Sequence, residues 1–290
     1  MTPWPAWAAA MVATALLAVG VFTNRRIVGW LPDDVPGPGR KQHGRPIPLA
    51  GVLLTPPLVL WMLWAPFWPG DRLAAAAVAL AALVGWLDDR RKENGGGLDW
   101  RRKALGLLAV AGLAAASVND PAHAPGRWLL FTSFVFVFVN ALNFLDNQNG
   151  VAAAVAAVTL IAAGGGGLDG FVRSEWPAAA AAAALAFLPW NWPRARLFLG
   201  DAGAYALGAA AAIAVCASLH DGPAGLWLAA VPLADFTQVV VVRLCLGLPP
   251  WIGDRRHLTH LALRFGAPAW ALAPLFAAAA WALAQRSRLP

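Results

Sequence analysis

An all-α, polytopic membrane bundle of about ten transmembrane helices, with its chemistry-bearing loops on the cytoplasmic side, is the fold this sequence predicts. Three observations predict it. Of the 290 residues 59% are hydrophobic and only 13% charged, and the mean hydropathy is +0.59, which is more apolar surface than a soluble domain of this length can bury. Apolar stretches long enough, or nearly so, to cross a hydrocarbon core of about 30 Å recur from one end of the chain to the other. Finally, Lys and Arg gather in alternate connecting loops, the pattern expected when positive loops stay cytoplasmic.

The predicted spans are 3–23, 47–68, 72–87, 104–118, 128–145, 150–168, 176–192, 202–219, 224–246 and 267–285. No stretch is left over for a sizeable soluble domain, so residues 1–290 are read as a single integral membrane domain. Its abundant Ala and its 28 Gly suit helices that approach closely. The first apolar stretch has no positive residue ahead of it and Arg25 and Arg26 behind it, which favours an anchor with its N-terminus outside over a cleaved signal peptide. Loops 24–46, 88–103, 193–201 and 243–266 hold 17 of the 22 Lys and Arg, and this split assigns them to the cytoplasm.

Several features carry no chemistry. Topology and anionic headgroups account for the net charge of +7 without nucleic acid. The glycines at 164–167 and the run ENGGG at 93–97 lack the spacing of a P-loop or a dinucleotide fingerprint. Cys216 and Cys245 lie inside predicted spans and read as apolar core residues. Trp4, Trp30, Trp68, Trp128, Trp176 and Trp192 fall near span ends, where an interface belt explains them.

Five polar clusters interrupt the apolar chain: LPDDVPGPGRKQH (31–43), WLDDRRK (86–92), NALNFLDNQNG (140–150), FLGDAG (198–203) and GDRRHLTH (253–260). Threaded through a bilayer, all five emerge on the cytoplasmic side. Asp88 and Asp89 end the third span beside Arg90, Arg91 and Lys92. Adjacent helical side chains diverge by about 100°, so one carboxylate can face a metal or phosphate while its neighbour faces a cation. A solvated, self-paired helix end is the plain alternative. Asp201, between Gly200 and Gly203 at the start of an apolar run, reads by default as an N-cap, yet the glycines leave room for a ligand to approach.

Asn140, Asn143 and Asp146 are spaced by three and form a polar stripe on one helix face. Such a stripe must face protein or a hydrated cavity rather than lipid. Asp235 lies near the middle of the ninth span, where a carboxylate costs about 2.5 to 3.5 kcal/mol on insertion scales. Arg243, eight residues on, lies about 12 Å away along a straight helix, too far for a direct pair, and no other partner is legible. His257 and His260, with Asp254, Arg255 and Arg256, make a basic loop better suited to phosphate than to zinc. Arg40, Lys41 and His43 repeat that theme. Carboxylates for a hard divalent ion, together with cations for phosphate, are the equipment of phosphoryl transfer between a nucleotide and a lipid.

From residue 31 to 266 these motifs resemble, in order, those of the polyprenyl-phosphate N-acetylhexosamine-1-phosphate transferases, glycosyltransferase family 4. RKQHGRPIPLAG is similar to the family's R-K-x-H-x-x-P-x-P-x-x-G loop, and LDDRRK to the start of its aspartate-rich motif. LDWRRKALG resembles the stretch that follows, and NALNFLDNQNG resembles N-x-x-N-x-x-D-G-x-D-G. WNWPRARLFLGDAG is similar to N-x-P-x-x-x-F-x-G-D-x-G, and GDRRHLTH to D-R-x-H-x-H-H.

The resemblance implies transfer of a sugar 1-phosphate, GlcNAc-1-phosphate or a related amino sugar, from a UDP-sugar to undecaprenyl phosphate, initiating a cell-envelope polysaccharide and releasing UMP. It implies Mg²⁺, with Mn²⁺ as the alternative, held by Asp201 and Asp88, and a catalytic set of Asp88, Asp89 and Asp201. Arg40, Lys41, His43, Lys103, Asn140, Asn143, Asp146, Asn191, Arg255, His257 and His260 are implied in substrate binding. A multi-pass protein of the cytoplasmic membrane follows, active site toward the cytoplasm, as monomer or homodimer. The acceptor phosphate, with a second pKa of about 6, needs little help from a base, so orientation and metal binding are the expected roles of Asp88 and Asp89.

The chain departs from the family pattern at Lys92, where a third carboxylate is usual, and at Asn147, Asn149, Thr259 and Ala204. It also lacks the His-rich loop of the muramoyl-pentapeptide enzyme, which favours the GlcNAc-1-phosphate type. A catalytically weakened binding or assembly subunit is one alternative. An ion-coupled transporter is another, though no internal repeat supports it, and a CDP-alcohol phosphotransferase would need a D-G-x-x-A-R segment that is absent.

Overall fold

The computed structural model describes residues 14, 29–36, 44–64, 70–93, 96–164, 175–251 and 253–288. The described residues contain ten α-helices: α1 (Thr55–Trp64), α2 (Asp71–Glu93), α3 (Trp100–Val118), α4 (Pro125–Leu145), α5 (Val151–Ala163), α6 (Glu175–Asn191), α7 (Gly200–Ser218), α8 (Ala230–Cys245), α9 (Leu258–Arg264) and α10 (Ala269–Ala284). Two short strands, β1 (Asp33–Asp34) and β2 (Ile47–Pro48), pair antiparallel. The all-α class therefore holds.

Nine of the ten predicted spans overlap described helices, while the first, apart from buried Thr14, lies outside the described residues. Among the described residues three helices are long and apolar enough to cross a membrane: α4, α7 and the segment Pro223–Cys245, in which a 3₁₀ turn runs into α8. Gly51–Leu63 and Val151–Ala163 are apolar but shorter. The predicted span 47–68 is not one helix. Its prolines and Gly51 break it into β2, a 3₁₀ turn and the ten-residue α1, since proline lacks the N–H and disfavours helix in the residue before it.

Local chemistry explains the helix starts that matter for function. Asp99 caps α3 by accepting the Arg101 N–H at 3.1 Å, and Pro125 occupies the first turn of α4, where no N–H is needed. Gly150, at φ +77°, turns the chain into α5, a conformation that side-chain-bearing residues resist.

α7 is the axle of the bundle. Every residue from Asp201 to Cys216 is buried, and the helix packs against α2, α3, α4 and α5. Its Ala-rich sequence allows this, because small side chains let backbones approach. A close approach of α2 and α7 sits under the polar end: a Cβ on Gly85 of α2 would lie 2.4 Å from the Ala202 backbone nitrogen. Gly85→Val should therefore force α2 and α7 apart, costing about 1–3 kcal/mol or more, and collapse the monodisperse peak in detergent size-exclusion. Gly126→Ala, where no atom lies within 4 Å, should elute unchanged.

The loop before α7 is stitched to the β2 segment. The Phe198 N–H donates to the Pro48 carbonyl at 2.9 Å, and the Ala50 N–H donates to the Phe198 carbonyl at 2.9 Å. These bonds fix where α7 begins. At the far end of the bundle His220 bonds Arg127 and the Val118 carbonyl, so the connections there carry their own ties. Cys216 is buried but Cys245 is exposed, so only the first is a core residue.

Candidate active site

Four helix ends meet at one pole of the bundle, bringing Asp88 and Lys92 from α2, Lys103 from α3, Asn143 and Asp146 from the end of α4, and Asp201 from the start of α7. Asp88 and Asp201 share two cations. Lys103 Nζ lies 2.9 Å from Asp88 Oδ2 and 2.7 Å from Asp201 Oδ2, while Lys92 Nζ lies 2.7 and 2.9 Å from the same two oxygens. Asn143 Nδ2 donates to Asp201 Oδ1 at 3.1 Å, and the Leu98 N–H donates to Asp88 Oδ1 at 2.6 Å. Both carboxylates are buried, at 1% and 8% relative exposure, so they need these partners.

Asp89 does something else. Its Oδ1 accepts the Asp201 N–H at 3.1 Å and its Oδ2 the Ala202 N–H at 3.0 Å. Both oxygens are thus spent on the first turn of α7, whose N–H groups have no partner within their own helix. The divergence of about 100° between neighbouring helical side chains is realised here, with Asp88 turned to the lysines and Asp89 to the helix end. Asp201 is correspondingly not an N-cap. Gly200, at φ +65°, starts the helix one residue earlier, and the capping carboxylate arrives from α2 instead.

The Asn/Asp stripe is divided. Asn143 reaches Asp201, Asp146 caps α4 and accepts the Gly200 N–H, and Asn140 turns its amide back to the Phe136 carbonyl at 2.7 Å. Asn191 is 2% exposed and spends its amide on Gly150 and Leu197, tying the α4–α5 turn to the loop before α7. Asn149 donates to the Pro193 carbonyl at 3.2 Å. Arg40, Lys41 and His43 lie outside the described residues.

Two side chains of the centre were hidden in the sequence. Lys92 reads there as a missing carboxylate, yet one helical turn after Asp88 it folds back over the cluster. Tyr205, the only tyrosine of the chain, follows Asp201 by one turn, and its ring lies 5.4 Å from Lys103 Nζ. The i, i+4 spacing was the available signal in both cases.

The donor set fits a hard divalent cation. Asp88 Oδ2 and Asp201 Oδ2 are free of backbone bonds and face the same two ammonium groups, so two carboxylate oxygens converge on one point. Among the described residues no three His, Cys, Asp or Glu side chains gather tightly enough to hold a metal unaided. Mg²⁺ suits such a site, since it commonly takes one or two carboxylates and completes its shell with water and substrate phosphate.

A second polar group flanks the centre. Asp235, fully buried, accepts His257 Nδ1 at 2.8 Å and the Leu258 N–H at 2.6 Å. Arg243, 1% exposed, instead grips Asp254 with Nε at 3.0 Å and Nη2 at 3.2 Å, donates to the Pro250 carbonyl, and lies over the Phe144 ring. Thr259, at a position usually histidine, donates to Asn147 Oδ1. Arg255, Arg256 and Arg264 line an open cavity of about 390 Å³, a setting for an anionic ligand. Arg264 was not anticipated from the sequence, for want of a motif.

Burial pushes the Asp254 carboxyl up, but hydrogen bonds from Arg243 and Arg256 outweigh it and hold it at about 2. The folded value lies below the unfolded one of about 3.9, so this stabilisation is present above about pH 4 and lost as pH falls toward 2. Asp254→Asn should lower Tm at pH 7 and flatten its decline below pH 4 in a detergent melting series. At His260 burial acts first and the charges of His257 and Arg255 add to it, holding the imidazole below its ordinary pKa.

The described residues thus define a class of protein: a mainly α-helical bundle with helices of membrane length and a buried carboxylate–lysine centre at one pole. Residues 72–219 match the family model of glycosyl transferase family 4, and the chain belongs to that family. It is 34% identical over 197 residues to the phospho-N-acetylmuramoyl-pentapeptide-transferase of Synechococcus sp. (strain JA-3-3Ab), covering 61% of this chain and 56% of that protein. It is 29% identical over 225 residues to the undecaprenyl-phosphate alpha-N-acetylglucosaminyl 1-phosphate transferase of Yersinia pestis, covering 68% and 60%. A third relative, the decaprenyl-phosphate N-acetylglucosaminephosphotransferase of Mycobacterium tuberculosis (strain CDC 1551 / Oshkosh), is 28% identical over 235 residues, covering 67% and 56%. The match thus spans less than two thirds of each relative's length.

Proposed function

We propose that this chain transfers a sugar 1-phosphate, GlcNAc-1-phosphate or that of a related N-acetylamino sugar, from a UDP-sugar to undecaprenyl phosphate, releasing UMP and initiating a cell-envelope polysaccharide. The reading includes a multi-pass protein of about ten crossings in the cytoplasmic membrane, active site toward the cytoplasm. One observation carries it: Asp88 and Asp201, from motifs 113 residues apart in sequence, present one oxygen each to the same two lysines. The names of the relatives supply the substrate class.

An oxygen of the acceptor phosphate attacks the β-phosphorus of the UDP-sugar. The new P–O bond forms as the bond from that phosphorus to the bridging oxygen breaks, and UMP leaves with the electron pair. Lys92 and Lys103 turn from Asp88 and Asp201 to the diphosphate and neutralise it, with the Arg255 cavity adding positive charge alongside. When bound at Asp201 and Asp88, Mg²⁺ supplies further charge neutralisation at the transferring group. Asn143 holds Asp201 in register, and Asp89 holds the helix that carries it.

The test is UMP release by purified protein from a panel of UDP-sugars with undecaprenyl phosphate, with and without Mg²⁺. UDP-GlcNAc should support release, and chelation by EDTA should remove it. Release only with UDP-MurNAc-pentapeptide would reassign the sugar in favour of the reaction named for the Synechococcus relative. No UMP with any donor would overturn the reading in favour of a binding or assembly subunit.

A further inference from the structure

Asp235, in a helix apolar and long enough to cross a membrane, is a buried carboxylate that the reaction above leaves without a task. It is fully buried in α8, where a charge is tolerated only with satisfied partners, and both of its oxygens are occupied. Oδ1 accepts the Leu258 N–H at 2.6 Å and Oδ2 faces His257 Nδ1 at 2.8 Å. Since a carboxylate only accepts, Nδ1 carries the hydrogen and Nε2 is the nitrogen left to act. The ring is held from a second side by the edge of Phe144, at 5.6 Å between centroids and 83° between planes. Phe144 follows Asn143, the residue bonded to Asp201, so the imidazole is locked against the same helix end that shapes the centre.

We infer that Asp235 is a positioning residue of the transfer reaction: through its paired bonds to Leu258 and His257 it fixes the ring and the tautomer that leave His257 Nε2 as a hydrogen-bond acceptor for the substrate. The inference rests on the proposed transfer reaction for what Nε2 does, but not for how the ring is held. A carboxylate ordering a histidine in this way is a general device. It sets which nitrogen acts, and losing such a partner commonly costs about 10- to 100-fold. Asn at 235 keeps an oxygen for the Leu258 N–H but offers an amide N–H to Nδ1, which would place the ring hydrogen on Nε2 and leave it a poor acceptor. Glu at 235 keeps the acceptor chemistry at a longer reach.

Two measurements on the full-length protein in detergent test this. The first is ¹⁵N NMR of ring-labelled histidine, with the His257 signal assigned by its loss in His257→Gln. Nδ1 should carry the hydrogen in the wild type, and Asp235→Asn should shift it to Nε2. A wild-type ring with bare Nδ1 would overturn the inference, whether or not the protein proves to be a transferase. The second is a double-mutant cycle on UMP release. Asp235→Asn and His257→Gln should each lower kcat about 10- to 100-fold with little change in KM for the UDP-sugar, and the double variant should be no slower than His257→Gln alone. Asp235→Glu should recover part of the rate. Multiplicative losses, or an unchanged kcat in Asp235→Asn, would show that Asp235 does not act through His257. If the wild type itself releases no UMP, the transfer reading fails and the NMR result alone decides the tether.

Discussion

Asp201→Asn should abolish transfer, by about a thousandfold or more in kcat, while leaving a folded protein. The substitution keeps an oxygen for Asn143 but removes the anionic oxygen that Lys92 and Lys103 share at 2.9 and 2.7 Å. Two ammonium groups would then have only Asp88 between them, and the carboxylate pair proposed to hold Mg²⁺ would be reduced to one. Losses of two to three orders of magnitude are typical when one preorganised electrostatic group is removed, and losing a metal ligand as well adds to them. Retained UMP release in Asp201→Asn, measured at saturating UDP-sugar and Mg²⁺, would place the centre elsewhere.

Asp89→Ala should act by a different route. It strips both acceptors from the Asp201 and Ala202 N–H groups, leaving two buried donors at the positive end of α7. Removing a buried hydrogen-bond partner costs about 1–3 kcal/mol, so Tm should fall. Because Asp201 sits in the same turn, activity should fall with it, by about 10- to 100-fold if the loss resembles that of other supporting partners. Asp89→Asn, which keeps one acceptor, should lie between Ala and wild type in both measurements. A direct metal or proton role for Asp89 would instead make Asn as inactive as Ala with Tm untouched.

The contrast between these two neighbours of the centre shows what the sequence could carry. The all-α class was legible because apolar composition and span length are summed over many residues, and nine of the ten predicted spans overlap described helices. The meeting of Asp88, Asn143 and Asp201 was legible as motifs on one side of a threaded bilayer, and Lys103 through the family resemblance. What was not legible was non-local. Asp89 caps a helix 112 residues away, and that pairing displaced the local reading of Asp201 as its own cap. Asp235 found its partner 22 residues on, across a loop that returns His257 to α8, and Arg243 found Asp254 the same way. Lys92 was misjudged for another reason: compared with a family pattern it counts as a lost carboxylate, whereas one turn from Asp88 it is a cation in the centre.

The most direct test of the account is the fate of the donor's β-phosphate. Purified protein would be given UDP-GlcNAc labelled with ³²P at the β position, undecaprenyl phosphate and Mg²⁺, and the label followed through extraction into organic solvent. Transfer of a sugar 1-phosphate predicts label in the lipid phase, matched mole for mole by unlabelled UMP in the water phase, and neither in Asp201→Asn. Label that stays in the water phase, with this donor and with the other UDP-amino sugars, would contradict the account.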